Sequence, residues 1–312
     1  MLSYYGGRDP LGGLPPCQCP VCGSPAGALH QAREMMLGTR DVFPYWECVE
    51  CGCLSLAAPP ADMDAYYPRD YYSLQTRSVS HLRALRDFLY LSPAGFLVNW
   101  RRRTDLDAIR RAHLNRRQTL LDVGCGGGSL LADLRELGYK AHGIDPFVSA
   151  DVYDRFGLRV ERKTLAEVTE SYDVVLFRHS LEHMPIDTLA LARERVKPGG
   201  VCVVCIPVVG WAWQNYGTDW SQLDAPRHLF LHSRKSFEML AAKSGFRVEN
   251  VIFDSNEFQF WASESYRSDV PLSRAVRPSP AQIRTMRRSA AALNRRGQGD
   301  TAQFYLRPVG RA

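Results

Sequence analysis

The segment Leu120-Leu121-Asp122-Val123-Gly124-Cys125-Gly126-Gly127-Gly128-Ser129 constrains this chain more than any other. An apolar run ends in an acidic residue, breaks into glycines, and passes at once into an amphipathic stretch from Leu130 to Leu137. That order reads as a strand, a tight turn and the start of a helix. Glycine lets the backbone turn sharply and approach a ligand that no Cβ would tolerate. The helix N-terminus behind it offers N–H groups to that ligand. A second acidic residue, Asp145, closes the next apolar run, Ala141-His142-Gly143-Ile144, 21 residues after Gly124. A doubly wound fold places the carboxylate that holds a ribose at about this separation. A nucleoside-like cofactor is therefore expected. Gly124, Gly126 and Gly128 give G-x-G-x-G and Ser129 takes the sixth position, so the dinucleotide pattern G-x-G-x-x-G is not met.

From residue 118 onward, strand and helix patterns alternate: 119–123, 129–137, 140–144, 172–177, 186–195, 200–206, 234–244 and 246–253. Such alternation predicts an α/β fold, a doubly wound sheet of mainly parallel strands with helices on both faces. Ala302 to Arg307 reads as a last strand, and 254–301 reads as an arginine- and serine-rich insertion with a helix near 280–296. Residues 79–116 look helical and basic, with Leu82, Leu85, Phe88, Leu89 and Leu91 as an apolar stripe. The expected organisation is a module at 1–60, a linker and helical lid at 61–117, and the cofactor-binding domain at 118–312.

Six of the nine cysteines fall in the first 53 residues, as Cys17-x-Cys19-x2-Cys22 and Cys48-x2-Cys51-x-Cys53. Two C-x2-C pairs this far apart are a zinc pattern, each pair placing two thiolates on one turn. Gly23 and Gly52 follow the pairs and let each knuckle turn its N–H groups toward sulfur. Cys19, Cys22, Cys48 and Cys51 are the expected ligands of a structural zinc, with Cys17 and Cys53 spare and Cys17 an alternative to Cys19. No apolar segment follows a basic start, and the longest apolar run, Val201 to Trp213, is interrupted by Pro207 and Gly210. Neither a signal peptide nor a membrane span is expected, which leaves a cytoplasmic location. The net charge of +6 gathers in arginine clusters near 101–117 and 274–296. These are a solvated face or an attraction for a polyanion.

The glycine loop resembles motif I of the class I S-adenosylmethionine-dependent methyltransferases. The resemblance continues through Tyr172-Asp173-Val174-Val175-Leu176-Phe177, Ser180-Leu181-Glu182-His183-Met184, Val196-Lys197-Pro198-Gly199-Gly200-Val201 and Gly245-Phe246-Arg247-Val248. It implies a seven-stranded sheet with S-adenosylmethionine as cofactor. The donor would be bordered by Asp122, Gly124, Gly126 and Gly128, its ribose held by Asp145 and its adenine flanked by Pro146 and Phe147. Thr164 and Leu165 would approach the adenine edge; the acidic residue many relatives place there is absent from 163–165. Arg178 and the residues after it would face the transferred methyl, with His179, His183 or, from a later loop, His228 as the base.

The stretch Asp224-Ala225-Pro226-Arg227-His228-Leu229 resembles a subset of these enzymes found in sugar and natural-product pathways. Together with the four-cysteine module, it makes the chain similar to zinc-ribbon-bearing class I methyltransferases. The implied reaction is methyl transfer to a small polar acceptor: a sugar, nucleotide sugar or related metabolite. Asp224, Arg227 and His228 fit a polar, phosphorylated substrate; a self-contained loop with Arg227 paired to Asp224 is the plainer reading. Two rivals stand beside it: an RNA methyltransferase that uses the basic helices, and a non-catalytic scaffold. The tyrosines of Tyr66-Tyr67-Pro68-Arg69-Asp70-Tyr71-Tyr72 either pack between domains or wall the substrate pocket.

Overall fold

In the computed structural model, which describes residues 18–67, 87, 89–91, 104–148 and 160–310, β1 (Ala26–Arg33), β2 (Val42–Cys48) and β3 (Leu54–Leu56) form an antiparallel meander. Helix α1 (Thr104–Arg111) then leads to β4 (Thr119–Val123), α2 (Ser129–Glu136), β5 (Lys140–Ile144) and the two-residue β6 (Val160–Glu161). The second half runs β7 (Tyr172–Arg178), α3 (Thr188–Arg195), β8 (Val196–Val209), α4 (Trp211–Tyr216), β9 (Phe230–Ser233) and α5 (Arg234–Lys243). It ends with β10 (Phe246–Phe253), α6 (Phe258–Arg267), α7 (Pro280–Arg295) and β11 (Thr301–Pro308).

Seven strands line up in the order β6-β5-β4-β7-β8-β11-β10. The first five are parallel; β11 runs antiparallel to β8, and β10 antiparallel to β11. This is the doubly wound sheet that the alternation predicts, with the seven strands that the resemblance implies. From β4 the chain steps outward to β5 and β6, then crosses back to β7 and β8. The adjacent strands β4 and β7 therefore send their connections in opposite directions. In such sheets a crevice opens beyond the carboxyl ends of those two strands.

Both faces of the sheet are buried, as parallel strands require. Leu120 in β4 and Val174 and Leu176 in β7 join Leu106, Ile109, Leu130 and Leu134 on one side. Their neighbours Leu121, Val123, Val175 and Phe177 join Phe237, Leu240, Phe246 and Phe304 on the other. The period-two switch of faces is what a strand's pleat dictates. The same cluster contains Cys19, Val21, Cys48, Cys51 and Cys53, so the cysteine knuckles are built onto the core.

A branch in the sheet joins the module to the domain. Strand β11 pairs with β8 as far as Pro207, and from Val208 β8 pairs with β9 instead. Strand β9 then pairs with β3 through Leu54 and Leu231. Side chains of α5 and its cap reinforce the joint, since Ser233 Oγ donates to Cys51 O, Lys235 Nζ to Glu50 O and Lys243 Nζ to Val21 O.

The stretch after Val209 turns into α4. Helix α6 lies within 254–301, and Leu272 and Ser273 donate their N–H groups to Met35 O and Met36 O of the module. Much of the predicted basic lid, including Arg101 to Arg103, lies outside the described residues. Among those described, no helix is long and apolar enough to cross a membrane.

Candidate active site

The glycine loop sits at the carboxyl end of β4, beside the crevice. Gly124, Gly126 and Gly128 take φ of 74°, 53° and 71°, left-handed values that disfavour a side chain. A Cβ on Gly124 would stand 2.6 Å from Ser180 Cβ and 3.0 Å from Met184 Cε. The loop is thus pressed directly on the segment that follows β7. Ser180 Oγ fastens the contact by donating to Val123 O at 2.7 Å. No side chain caps the start of α2.

Asp145 closes β5 with a 7% exposed side chain. Its carboxylate accepts the N–H of Gly126 and of Phe147, each at 2.9 Å. Burial lifts the Asp145 carboxyl above its ordinary value against the pull of these amides and of His183. A buried carboxylate just past β5, bonded to the glycine loop that leads into the uncapped α2, fits as the acceptor for the hydroxyls of a ribose diol. Phe147 is 45% exposed and available as a flat apolar wall. Asp122 is buried in β4, between Gly143 and Leu176 in register. Thr164 has a local task, its N–H and hydroxyl both donating to Glu167 Oε2. The Leu165 side chain turns into the core. Arg178 ends β7, half-buried, and its charge acts on Cys125 of the glycine loop.

The three candidate bases converge around one carboxylate. Glu182 is 2% exposed, and neither of its oxygens has a hydrogen-bond partner among the described residues. Burial opposes its charge, but His179, His183 and His228 outweigh burial and hold its carboxyl below the usual range. His179, with φ of 53°, places Nδ1 3.7 Å from Glu182 Oε1 and is 48% exposed. Desolvation disfavours its charge, yet Glu182 raises its pKa above the ordinary histidine value. His183 Nδ1 donates to Arg227 O at 2.9 Å, and the Tyr67 hydroxyl lies 3.0 Å from the same nitrogen. A carbonyl only accepts, so this bond needs a proton on Nδ1. His228 repeats the arrangement, with Nδ1 donating to Gln222 O at 2.8 Å. Its ring lies 4.6 Å from that of His183. Burial, and the proximity of His183, depress the His228 pKa to about 4. Atoms of Glu182, His183 and His228 that are able to ligate a metal lie within 4.8 Å of one another.

Arg227 corrects the expectation that it meets substrate. It is 0% exposed and bound by its Nη2 to Asp224 Oδ1 at 2.6 Å and to Glu34 Oε1 at 2.7 Å. Its guanidinium faces inward, where no acceptor phosphate reaches it. Pairing with Asp224 was legible from the sequence; the second partner, Glu34, was missed because it lies 193 residues away. Tyr67 reaches the crevice through His183, whereas Tyr66 packs edge-on against Phe43. Tyr71 and Tyr72 lie outside the described residues.

In the module, Cys19 and Cys51 sulfurs lie 3.5 Å apart and those of Cys22 and Cys48 3.4 Å apart. All four fall within 4.8 Å of one another. Four thiolates about 2.3 Å from a single zinc stand roughly 3.8 Å apart, so the donor set fits that ion. Gly23 N–H to Cys19 O and Gly52 N–H to Cys48 O close the two knuckles. Cys53 stays outside the cluster, its Sγ 3.9 Å from His232 Nδ1. Cys17 lies outside the described residues.

Residues 97–251 match the methyltransferase domain family. The ubiquinone biosynthesis O-methyltransferase of Cereibacter sphaeroides is 33% identical over 144 residues, covering 38% of this chain and 58% of the relative. The enzyme of the same name from Saccharophagus degradans is 37% identical over 114 residues, covering 31% and 48%. The chain thus spans about half the length of these relatives. A S-adenosylmethionine-dependent methyltransferase structure from Archaeoglobus fulgidus covers 65% of this chain and 91% of its own, at 18% identity and a TM-score of 0.43. With the family match spanning the glycine loop, Asp145 and the segment after β7, the chain carries a class I S-adenosylmethionine-dependent methyltransferase domain behind a four-cysteine module.

Proposed function

We propose that this protein transfers a methyl group from S-adenosylmethionine to an oxygen of a small polar acceptor: a sugar, nucleotide sugar or related metabolite. The observation that carries the reading is the contact of Gly124 with Ser180 and Met184. It brings the donor loop directly against Ser180–Met184, the segment that carries Glu182 and His183. The O-methyltransferase names of the relatives support an oxygen acceptor, and the sugar class rests on the Asp-x-Pro-Arg-His-Leu resemblance. When bound, the donor supplies a sulfonium methyl whose leaving group is a neutral thioether. Asp145 and the loop at Gly124, Gly126 and Gly128 would hold it, with Pro146 and Phe147 beside the adenine.

On the acceptor side, His183 is the base. Its Nδ1–H is committed to Arg227 O, so Nε2 is the atom that takes the acceptor proton. An imidazole oriented by a fixed partner on its other nitrogen is the arrangement general-base catalysis uses. His179, turned by Glu182, and His228, held neutral by burial, frame the acceptor. Alignment supplies the larger share of rate, up to about 7–11 kcal/mol, and the base about 10²–10⁴-fold. Cys19, Cys22, Cys48 and Cys51 would hold a structural zinc, four protein ligands leaving no position for catalysis.

One observation favours the RNA rival. Arg274, Arg277, Arg284, Arg288, Arg295 and Arg296 are exposed, and 270–299 contains no acidic residue. No aromatic residue interleaves with them to stack bases, which favours the small acceptor. Incubation of the purified protein with labelled donor and fractionated extracts tests the choice. Label in nucleotide sugars or small metabolites is the expected result. Salt-sensitive label in RNA would establish the rival, and failure to bind the donor would leave a scaffold.

A further inference from the structure

Glu34, at the end of β1, is 0% exposed and lies in the module, far in sequence from the crevice. Its carboxylate accepts the N–H groups of Met36, Leu37, Gly38 and Thr39 at 2.8–3.1 Å, closing one tight loop around the charge. It also accepts Arg227 Nη2 at 2.7 Å. The rest of that guanidinium is taken by Asp224 Oδ2 on Nε at 3.0 Å and by Tyr66 O on Nη1 at 3.3 Å. Each of the three guanidinium nitrogens of Arg227 thereby has a partner, and its backbone N–H donates to Asp224 O at 2.9 Å. The carbonyl of this same residue receives His183 Nδ1–H.

Two more bonds make the linkage rigid. Tyr45 Oη of β2 donates to His228 O at 2.7 Å, and Leu229 N–H donates to Glu182 O at 2.7 Å. The module therefore grips residues 227 and 228 from one side, while Arg227 and Leu229 grip His183 and Glu182 from the other. A buried ion pair adds little to net stability but is well suited to fixing one arrangement of the chain.

We propose that Glu34 and Arg227 are positioning residues of the methyl-transfer site. They hold the Arg227 carbonyl where it fixes the His183 imidazole as the Nδ1–H tautomer, so the four-cysteine module sets the geometry of the acceptor-side base. The inference rests on the reading of His183 as that base. It assigns the module a task in the site beyond binding zinc. The acceptor of a chain whose module has shifted would meet Nε2 in the wrong place or with a proton already on it.

The test is nitrogen-15 histidine NMR on the full zinc-loaded chain, read beside methyl-transfer kinetics. His183 in the unaltered protein is expected in the Nδ1–H form. Glu34→Gln keeps the side-chain volume and removes the charge; the pair Glu34→Met with Arg227→Met keeps the burial and removes the ion pair. Either variant, if folded by circular dichroism and thermal melting, is expected to show mixed tautomers. Its kcat should fall about 10–100-fold, with donor affinity within about twofold and the acid limb of the pH–rate profile displaced. Glu34→Asp, which keeps the charge, is expected to recover part of that loss. An Nε2–H tautomer in the unaltered protein, or an unchanged tautomer in every folded variant, overturns the proposal. A tautomer shift in a protein that methylates nothing would uphold the linkage and defeat the functional reading, so the two failures are told apart.

Discussion

Arg227 Nη2 lies 2.7 Å from Glu34 Oε1 across 193 residues of sequence, and neither side chain is exposed. Burial works against the Arg227 charge, and Asp224 and Glu34 outweigh it, raising the guanidinium pKa above its ordinary value. Removing one partner leaves a buried charge uncompensated. Arg227→Ala or Glu34→Ala should therefore lower stability by about 3–5 kcal/mol, whereas Glu34→Met with Arg227→Met should cost much less. Urea denaturation of the three variants decides this. Equal losses in all of them would show that packing, and not uncompensated charge, governs the site.

Asp145, proposed to hold the ribose, ties down Gly126 and Phe147. Asp145→Ala should weaken donor binding about tenfold or more, as the loss of charged hydrogen bonds of roughly 1.5–3 kcal/mol implies. Calorimetry showing unchanged affinity would remove Asp145 from the donor site.

Metal analysis should return about one zinc per chain, and prolonged chelation should lower the melting temperature, since binding to such a site is folding free energy. Cys48→Ser or Cys51→Ser should lose the ion. Cys53→Ser should keep it, because Cys53 Sγ faces Leu54 O and His232. A metal-free, fully stable preparation would refute the zinc assignment.

The pH dependence of stability has a definite sign. With His228 near pKa 4 in the folded chain and about 6.5 when unfolded, the unfolded chain binds more protons between those values. Its contribution is present above about pH 6.5 and is lost as pH falls toward 4. Asp300 works the other way: burial lifts its carboxyl to about 6, so the folded chain gains relative stability as pH falls through that value. His228→Asn keeps a donor for Gln222 O and should reduce the acid loss by about 2 kcal/mol between pH 7 and 4.5. An identical acid profile in the variant would show that His228 is not the group responsible.

Among the histidines, His183→Ala should lower kcat about 10²–10⁴-fold with donor affinity nearly intact. His179→Ala and His228→Asn should act mainly on KM. Loss of catalysis on replacing His179, with His183→Ala active within a factor of a few, would transfer the base role to His179.

The methyltransferase half of the fold was legible because its signals are local. Strand β4, the glycine turn and α2 follow one another in sequence, and the predicted spans 119–123, 140–144 and 246–253 coincide with β4, β5 and β10. Cysteine pairs announce their knuckles for the same reason. Strands β3 and β6, three and two residues long, carry no periodicity of their own and exist because β9 and β5 pair with them. Strand β9 was hidden behind the Asp-x-Pro-Arg-His-Leu loop, which reads by itself as a polar surface.

Sequence alone determined the glycine turn after β4, the carboxylate that follows β5 and the four-cysteine cluster, because turn chemistry and short spacings act over a few bonds. Only the tertiary structure decided that Arg227 turns inward to Glu34, that His183 and His228 each commit Nδ1 to a carbonyl, and that the module shares a core with the sheet. Those outcomes depend on burial and on partners brought together from distant parts of the chain. A charged residue reads the same in sequence whether it faces solvent or a buried counter-charge; desolvation separates the two cases, and desolvation is a property of the folded packing.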